Sequence, residues 1–250
     1  MSKIQICREA LSALPEESWE AFLLSESGLP GPRGNLELAK AVAEKGTRNF
    51  FLNCLDENNP LEAPANDPRE FLAFCGALGL GSVISAGQDH LLEKLRLCAK
   101  DPRWRMHEAV AMALQEIGRA NFGRMLEIAS SWSRGSWLEK RAAIAGLAEP
   151  SLLTKPMFQQ DVLDLFDDVT ASLHSATERR LEDYHVLRQA LGYAWSVVVA
   201  AWPEQGIRRM EHWLVSDDRD VRWVMRQNLL KKRLSRAVPE WTSSWLSKLT

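Results

Sequence analysis

A short string, Asp67-Pro68-Arg69, returns 34 residues later as Asp101-Pro102-Arg103, and no other feature of the chain constrains its fold as much. Aspartate before proline is a signal for the start of a helix. The carboxylate at the N-cap accepts a backbone N–H that has no partner inside the helix. Proline in the first turn has the right φ and no N–H to satisfy. Glu70 follows Asp67 at the spacing of a capping box. A second pattern repeats over a longer distance. Trp104-Arg105 is matched by Val221-Arg222, 117 residues on, or three steps of about 39. Weaker copies lie between them: Lys140-Arg141 with Ala143 and Leu147, then Leu187-Arg188 with Leu191 and Trp195. Such a period belongs to stacked helix pairs, each burying its apolar face against the next.

The rest of the chain agrees with an all-α protein of about a dozen helices. Apolar residues recur at three- and four-residue spacing. Pro15, Pro156, Pro203 and Pro239 stand where helices would open, and Gly46, Gly118 and Gly206 where they would break. Alternating β-branched runs are missing. The uncharged run Gln189–Trp202 is shorter than the roughly 18–20 residues that span a bilayer, so it reads as a core helix that holds Trp195 and Trp202, with no membrane partner. The loop from Ser27 to Asn35, with two prolines and three glycines, separates atypical helices, and Asn35 is placed to cap a helix over 36–45. Residues 1–56 read as an N-terminal cap and 57–250 as the repeat array, closed by a C-terminal capping helix.

Charge limits the choice of partner. The 250 residues carry a net charge of -2, with 10 Lys/Arg against 14 Asp/Glu in residues 1–100 and 11 against 8 in residues 181–250. A phosphate-binding surface would therefore have to be local. Cys7, Cys54, Cys75 and Cys98 are scattered, without zinc spacing, and read as buried thiols in a reducing cytoplasm; no cofactor and no metal is expected. Met1–Ala10 has charges at Lys3, Arg8 and Glu9 and no apolar core, so no signal peptide is read there.

Candidate site residues are few. On a helix over Arg219–Arg236, residues Arg219, Arg222, Arg226 and Arg233 fall on one stripe. Trp223 lies beside the stripe, where it could back phosphates or stack a base. The competing reading pairs these arginines with Asp217, Asp218 or Asp220 as a structural network. Arg105, Arg141 and Arg188 occupy matching positions on earlier helices, and His107 is placed to face the same surface beside Arg105. His107-Glu108 lacks the second histidine of a zinc protease, because position 111 is Ala111. Asp161, Asp164, Asp167 and Asp168 read as a solvated face rather than a metal site. The glycine-proline loop matches no phosphate-binding motif, and no serine sits in a nucleophile elbow.

The Asp-x-x-Val-Arg pattern of Asp218, Val221 and Arg222, followed by Leu229, resembles HEAT repeats over roughly residues 60–236. The resemblance implies a right-handed α-α superhelix, a HEAT-like solenoid with a concave binding face. Within it, a stretch of about 25 residues that contains Trp213–Val224 resembles a repeat of the bacterial DNA-alkylation-repair glycosylases. Those enzymes are HEAT-like and hold a damaged nucleotide with aromatic residues and a carboxylate. The resemblance carries Trp213, Arg222, Trp223 and Arg226 over as DNA contacts and places no catalytic carboxylate. Two functions follow. One is a non-catalytic scaffold that holds a macromolecular partner, and the near-neutral charge favours a protein in that role. The alternative is a DNA-binding relative of the alkylated-base glycosylases.

Overall fold

The computed structural model describes residues 2–248. Among these residues lie fifteen α-helices and no strand. Three of the helices, α2 (Trp19–Glu26), α6 (Leu92–Cys98) and α14 (Lys232–Ala237), have eight residues or fewer. They are too short to show an apolar period, which is why the pattern predicts a dozen. No helix among the described residues is long and apolar enough to cross a membrane. The chain divides into two compact units, Met1–Ala120 and Asn121–Thr250.

The first unit contains α1 (Lys3–Ser12), α2, α3 (Leu36–Lys45), α4 (Arg48–Glu57), α5 (Glu70–Ser85), α6 and α7 (Trp104–Ala120). Helix α5 is its centre, and α3, α4 and α7 pack around it. Thirteen of its sixteen residues are buried, so it needs small side chains wherever neighbours press on it. Gly81 is such a place. A Cβ there would lie 2.5 Å from the Ala113 carbonyl oxygen and 2.6 Å from its Cα, while one on Gly79 would run into the Phe51 ring.

Helices follow both Asp-Pro pairs, but neither aspartate is the N-cap and neither proline is helical: α5 starts at Glu70 after an uncapped Arg69, and α7 at Trp104. Asp67 accepts from the Arg69 N–H at 2.8 Å, and Asp101 from the Arg103 N–H at 2.9 Å. Each aspartate also grips the guanidinium of the same arginine. The capping box expected at Glu70 does not form. Its carboxylate accepts from the Asn66 N–H instead, because it is also claimed by Arg105. The reciprocal box occurs at Ser136 and Glu139. Asn35 caps α3 as expected, through the Leu38 N–H. Gly46 ends α3, but Gly118 and Gly206 lie inside helices. Gly206 is there because a Cβ would stand 2.8 Å from the Val199 Cα.

The second unit contains α8 (Phe122–Trp132), α9 (Trp137–Leu147), α10 (Gln159–His174), α11 (Glu182–Ala201), α12 (Pro203–Leu214), α13 (Arg219–Leu229), α14 and α15 (Pro239–Lys248). Helices α9, α11 and α13 pack side by side as one row; α8 lies on α9, and α12 on α11 and α13. Trp195 is fully buried on α11, edge-on to Phe166, with its indole N–H on the Thr170 hydroxyl at 3.0 Å. Asn228 joins α13 to α11. Its amide oxygen accepts from the Ser196 N–H, and its NH₂ donates to the Leu191 and Val224 carbonyls, each at 2.8 Å. The single helix predicted over Arg219–Arg236 is in fact two. After Leu230 the backbone becomes extended at Lys231, and the restart at α14 returns Leu234 to the core.

Gly81→Ala is expected to cost about 1–3 kcal/mol, because the new methyl meets backbone that cannot swing away. Urea denaturation measures this. An unchanged midpoint would mean that α5 and α7 can part without loss.

Candidate functional site

Aspartate 218 decides what the arginines of α13 can do. Its side chain accepts from the Asp220 and Val221 N–H groups at 2.9 and 3.0 Å, and its carboxylate pairs with Arg179 at 2.6 Å. It is therefore spent on the helix start and on the preceding loop. Arg222 and Arg226 are left exposed, with no ion pair among the described residues. Arg219 is 86% exposed, its Nε only 3.9 Å from Asp220. The three share one face of α13, at positions i, i+3 and i+7. Arg233, also exposed, lies on α14 rather than on the same helix.

Behind this face is a buried ionic cluster. Asp220 is 2% exposed and accepts from the Tyr184 hydroxyl at 2.9 Å, Arg188 at 2.5 Å and Arg179 at 3.3 Å. Burial opposes the charge on Asp220. The hydrogen bonds from Arg188 and Tyr184 outweigh it and hold the carboxyl below its usual range. Burial, with Asp220 beside it, pushes the Tyr184 phenol upward. The Arg188 guanidinium lies 4.3 Å above the Trp223 ring, which also abuts Gly192. Arg188 is thus a support, and Trp223 gives one ring face to it. Trp223 is half-buried and braces the arginine row; it is not a bare stacking platform.

Four other expected contacts are held inside. Arg105 is buried, paired with Glu70 at 3.0 Å and bonded to the Gly31 carbonyl at 2.6 Å. His107 is buried, with Nε2 2.7 Å from the Asp101 carbonyl oxygen. Arg141 is buried in α9. Trp213 is buried as well, its indole N–H donated to Asp167 at 2.7 Å. Arg209 spans Asp164 and Asp167 at 2.6 Å each, so the acid row of α10 is only partly a solvated face. Burial raises the Asp167 carboxyl, against the pull of Trp213 and Arg209. Cys54, Cys75 and Cys98 are buried, and Cys7 is half-buried. Burial lifts the Cys54 and Cys98 thiols to about 12.

The first unit holds a feature that sequence reasoning missed. A notch of about 280 Å³ is lined by Phe71, Phe74, Trp104, Arg33 and Glu108, among others. Trp104 is 52% exposed, with the Arg105 guanidinium 4.4 Å from its ring centroid. The Arg105 bond to Gly31 ties the glycine-proline loop against α7, and Arg33 comes with that loop. A signal was present: Trp104 and Glu108 are four apart, so they share a helix face.

The architecture defines an all-helical protein of stacked helix pairs. Its fold is similar to the crystal structure of AlkD2 from Streptococcus mutans, with a TM-score of 0.63 and 15% identity over 86% of this chain and 98% of that one. No family model and no curated protein matches the sequence.

Asp218 and Asp220 have lowered folded-state values. Their stabilisation is therefore present above the unfolded carboxylate value of about 3.9 and is lost as pH falls through the folded values. Asp220→Asn is expected to cost roughly 2 kcal/mol at pH 7, since Arg188 loses its counter-ion. The gap to the native protein should narrow under acid conditions. Urea titrations at neutral and acid pH test this, and an equal gap at both would remove Asp220 as the ionic centre of the cluster.

Proposed function

We propose that the protein binds duplex DNA through the arginine face of α13. The observation that carries this is the pair Arg222 and Arg226, exposed on one helix face with no carboxylate to neutralise them. Ordered, unpaired guanidiniums suit phosphate oxygens, which they meet in bidentate fashion. Lys232, Arg233 and Arg236, exposed on α14, extend the same local charge. A local basic face attracts a polyanion even on a chain of net charge -2. The resemblance of Trp213–Val224 to a repeat of the DNA-alkylation-repair glycosylases supports this reading, as does the likeness of fold to AlkD2. Trp223 and Arg188 serve as the rigid backing of the row. Binding of this kind needs no catalytic group.

A second reading rests on the notch. Aromatic faces attract cations, and a carboxylate beside them stabilises positive charge. Trp104, Phe71, Phe74 and Glu108 supply both groups in one concavity. The resemblance implies aromatic residues and a carboxylate around a damaged nucleotide without saying which carboxylate; on this reading the lining of the notch makes Glu108 that group.

Fluorescence anisotropy of a labelled duplex between about 50 and 200 mM salt tests the first reading, because each phosphate contact adds about -0.9 to the slope of log affinity against log salt. Arg222→Ala with Arg226→Ala should make the slope shallower by about two. An unaltered slope, or no binding at the lower salt, sinks the proposal. For the second reading, release of base from methylated duplex should fall about 100-fold or more in Glu108→Gln, with affinity for the duplex retained. No release by the native protein ends that reading and leaves the first intact.

A further inference from the structure

The notch of the first unit is small. At about 280 Å³ it stands at the lower end for small-ligand pockets, so it takes one flat ring system and leaves any substituent of that ring at its edge. Its accessible apolar groups are Trp104 and Leu36, each the first residue of its helix, at 52% and 39% exposure; Phe71 and Phe74 are almost fully buried. The Arg105 guanidinium takes one face of the Trp104 ring, and the exposed remainder is open to a ligand.

Arg33 is the cation of this lining that the protein does not use. It is exposed and has no ion pair among the described residues. It also borders a second hollow that contains Glu26 and Glu37, and it pairs with neither. The other charges of the notch are engaged: Arg105 by Glu70, and Glu108 by a partner within the protein. The charge left over is therefore positive. The backbone presents Arg33 from two fixed points. Gly31 donates to Asn66 Oδ1 at 3.0 Å and accepts from Arg105, and the Asn35 N–H donates to the Ser27 carbonyl at 2.9 Å. Gly28, at a φ of +74°, turns the loop back so closely that a Cβ there would lie 2.9 Å from the Arg33 carbonyl oxygen. A loop held in this way offers its cation to a ligand without the cost of ordering a free segment.

We infer that Arg33 is the anion contact of the notch, so that the notch takes a nucleotide, a flat ring still joined to its phosphate, in preference to the nucleoside or the free base. This builds on the reading of the notch as a site for a damaged nucleotide. A guanidinium at the rim meets phosphate oxygens in bidentate fashion, while the ring lies against Trp104. The contact belongs to the glycine-proline loop of the first unit and is separate from the arginine face of α13.

The probes are 7-methylguanosine 5′-monophosphate and 7-methylguanosine, which differ only in the phosphate, titrated into the full chain by calorimetry. The nucleotide should bind about tenfold tighter, the worth of one charge-assisted hydrogen bond, and the advantage should shrink as salt rises. Arg33→Ala, at an exposed position, should bring the nucleotide down to the affinity of the nucleoside, leave the nucleoside as it was and keep the native melting temperature. Arg33→Lys should restore part of the advantage. Trp104→Ala should weaken both probes alike, and Arg222→Ala with Arg226→Ala should leave the advantage in place. Equal affinity for the two probes in the native protein overturns the inference and leaves the notch reading standing. So does an advantage that survives Arg33→Ala or is lost in the α13 variant. Binding of neither probe ends both.

Discussion

A guanidinium drawn into a helical interior must meet a carboxylate there, and this requirement organises both units. Arg105 enters the first unit only because Glu70, itself fully buried, stands at the start of the neighbouring helix. Arg103 is buried against Asp101 and spends its other N–H groups on the Asn58 and Ala63 carbonyls. In the second unit, Arg188 and Arg179 converge on Asp220. Removing one member of such a pair costs about 2 kcal/mol or more, because the other charge stays behind. Arg105–Glu70 and Arg188–Asp220 each join two helices, and Arg179–Asp220 joins the loop between α10 and α11 to α13. The acids that start helices are thus also the acids that fix the distance between helices.

The arginines therefore separate into two populations that carry the same local signature. Arg105 and Arg141, after Trp104 and Lys140, are buried, and Arg188, after the buried apolar Leu187, is clamped on Asp220. Arg222 follows Val221 in the same way, yet it is exposed, because Asp218 is already committed to Arg179 and to two backbone N–H groups. One carboxylate's prior engagements thus determine whether a repeat arginine is structural or available. The same accounting leaves carboxylates over on α10.

Much of the fold was legible because its signals are local. Asp67-Pro68, Asp101-Pro102, Asn35 and the prolines of α12 and α15 act through backbone a few residues away, and each marks its helix. The errors arose where the deciding partner is distant in sequence. Gly206 looked like a break because nothing nearby shows that Val199 crowds it. The end of α13 at Leu229 was invisible because no glycine or proline marks the extended backbone at Lys231. For the candidate site, the stripe of Arg219, Arg222 and Arg226 could be drawn from helical spacing alone. Which of the ten site residues would be exposed could not, since burial of Arg105, His107 and Trp213 involves Glu70, Asp101 and Asp167, all distant or hidden in the pattern. The notch escaped notice because Phe71, Phe74 and Trp104 come from two helices and Arg33 from a loop.

Asn228 has a consequence for how a ligand would be sensed. Its amide adds two buried hydrogen bonds from α13 to the backbone of α11. Parting the two helices leaves that amide and those contacts behind in the interior, so α11 and α13 are tied to open together. By linkage, any molecule that binds only the folded α13 raises the free energy needed to open both helices. Occupancy of Arg222 and Arg226 would then appear as slowed amide exchange around Ser196, in the middle of a helix that the ligand never touches.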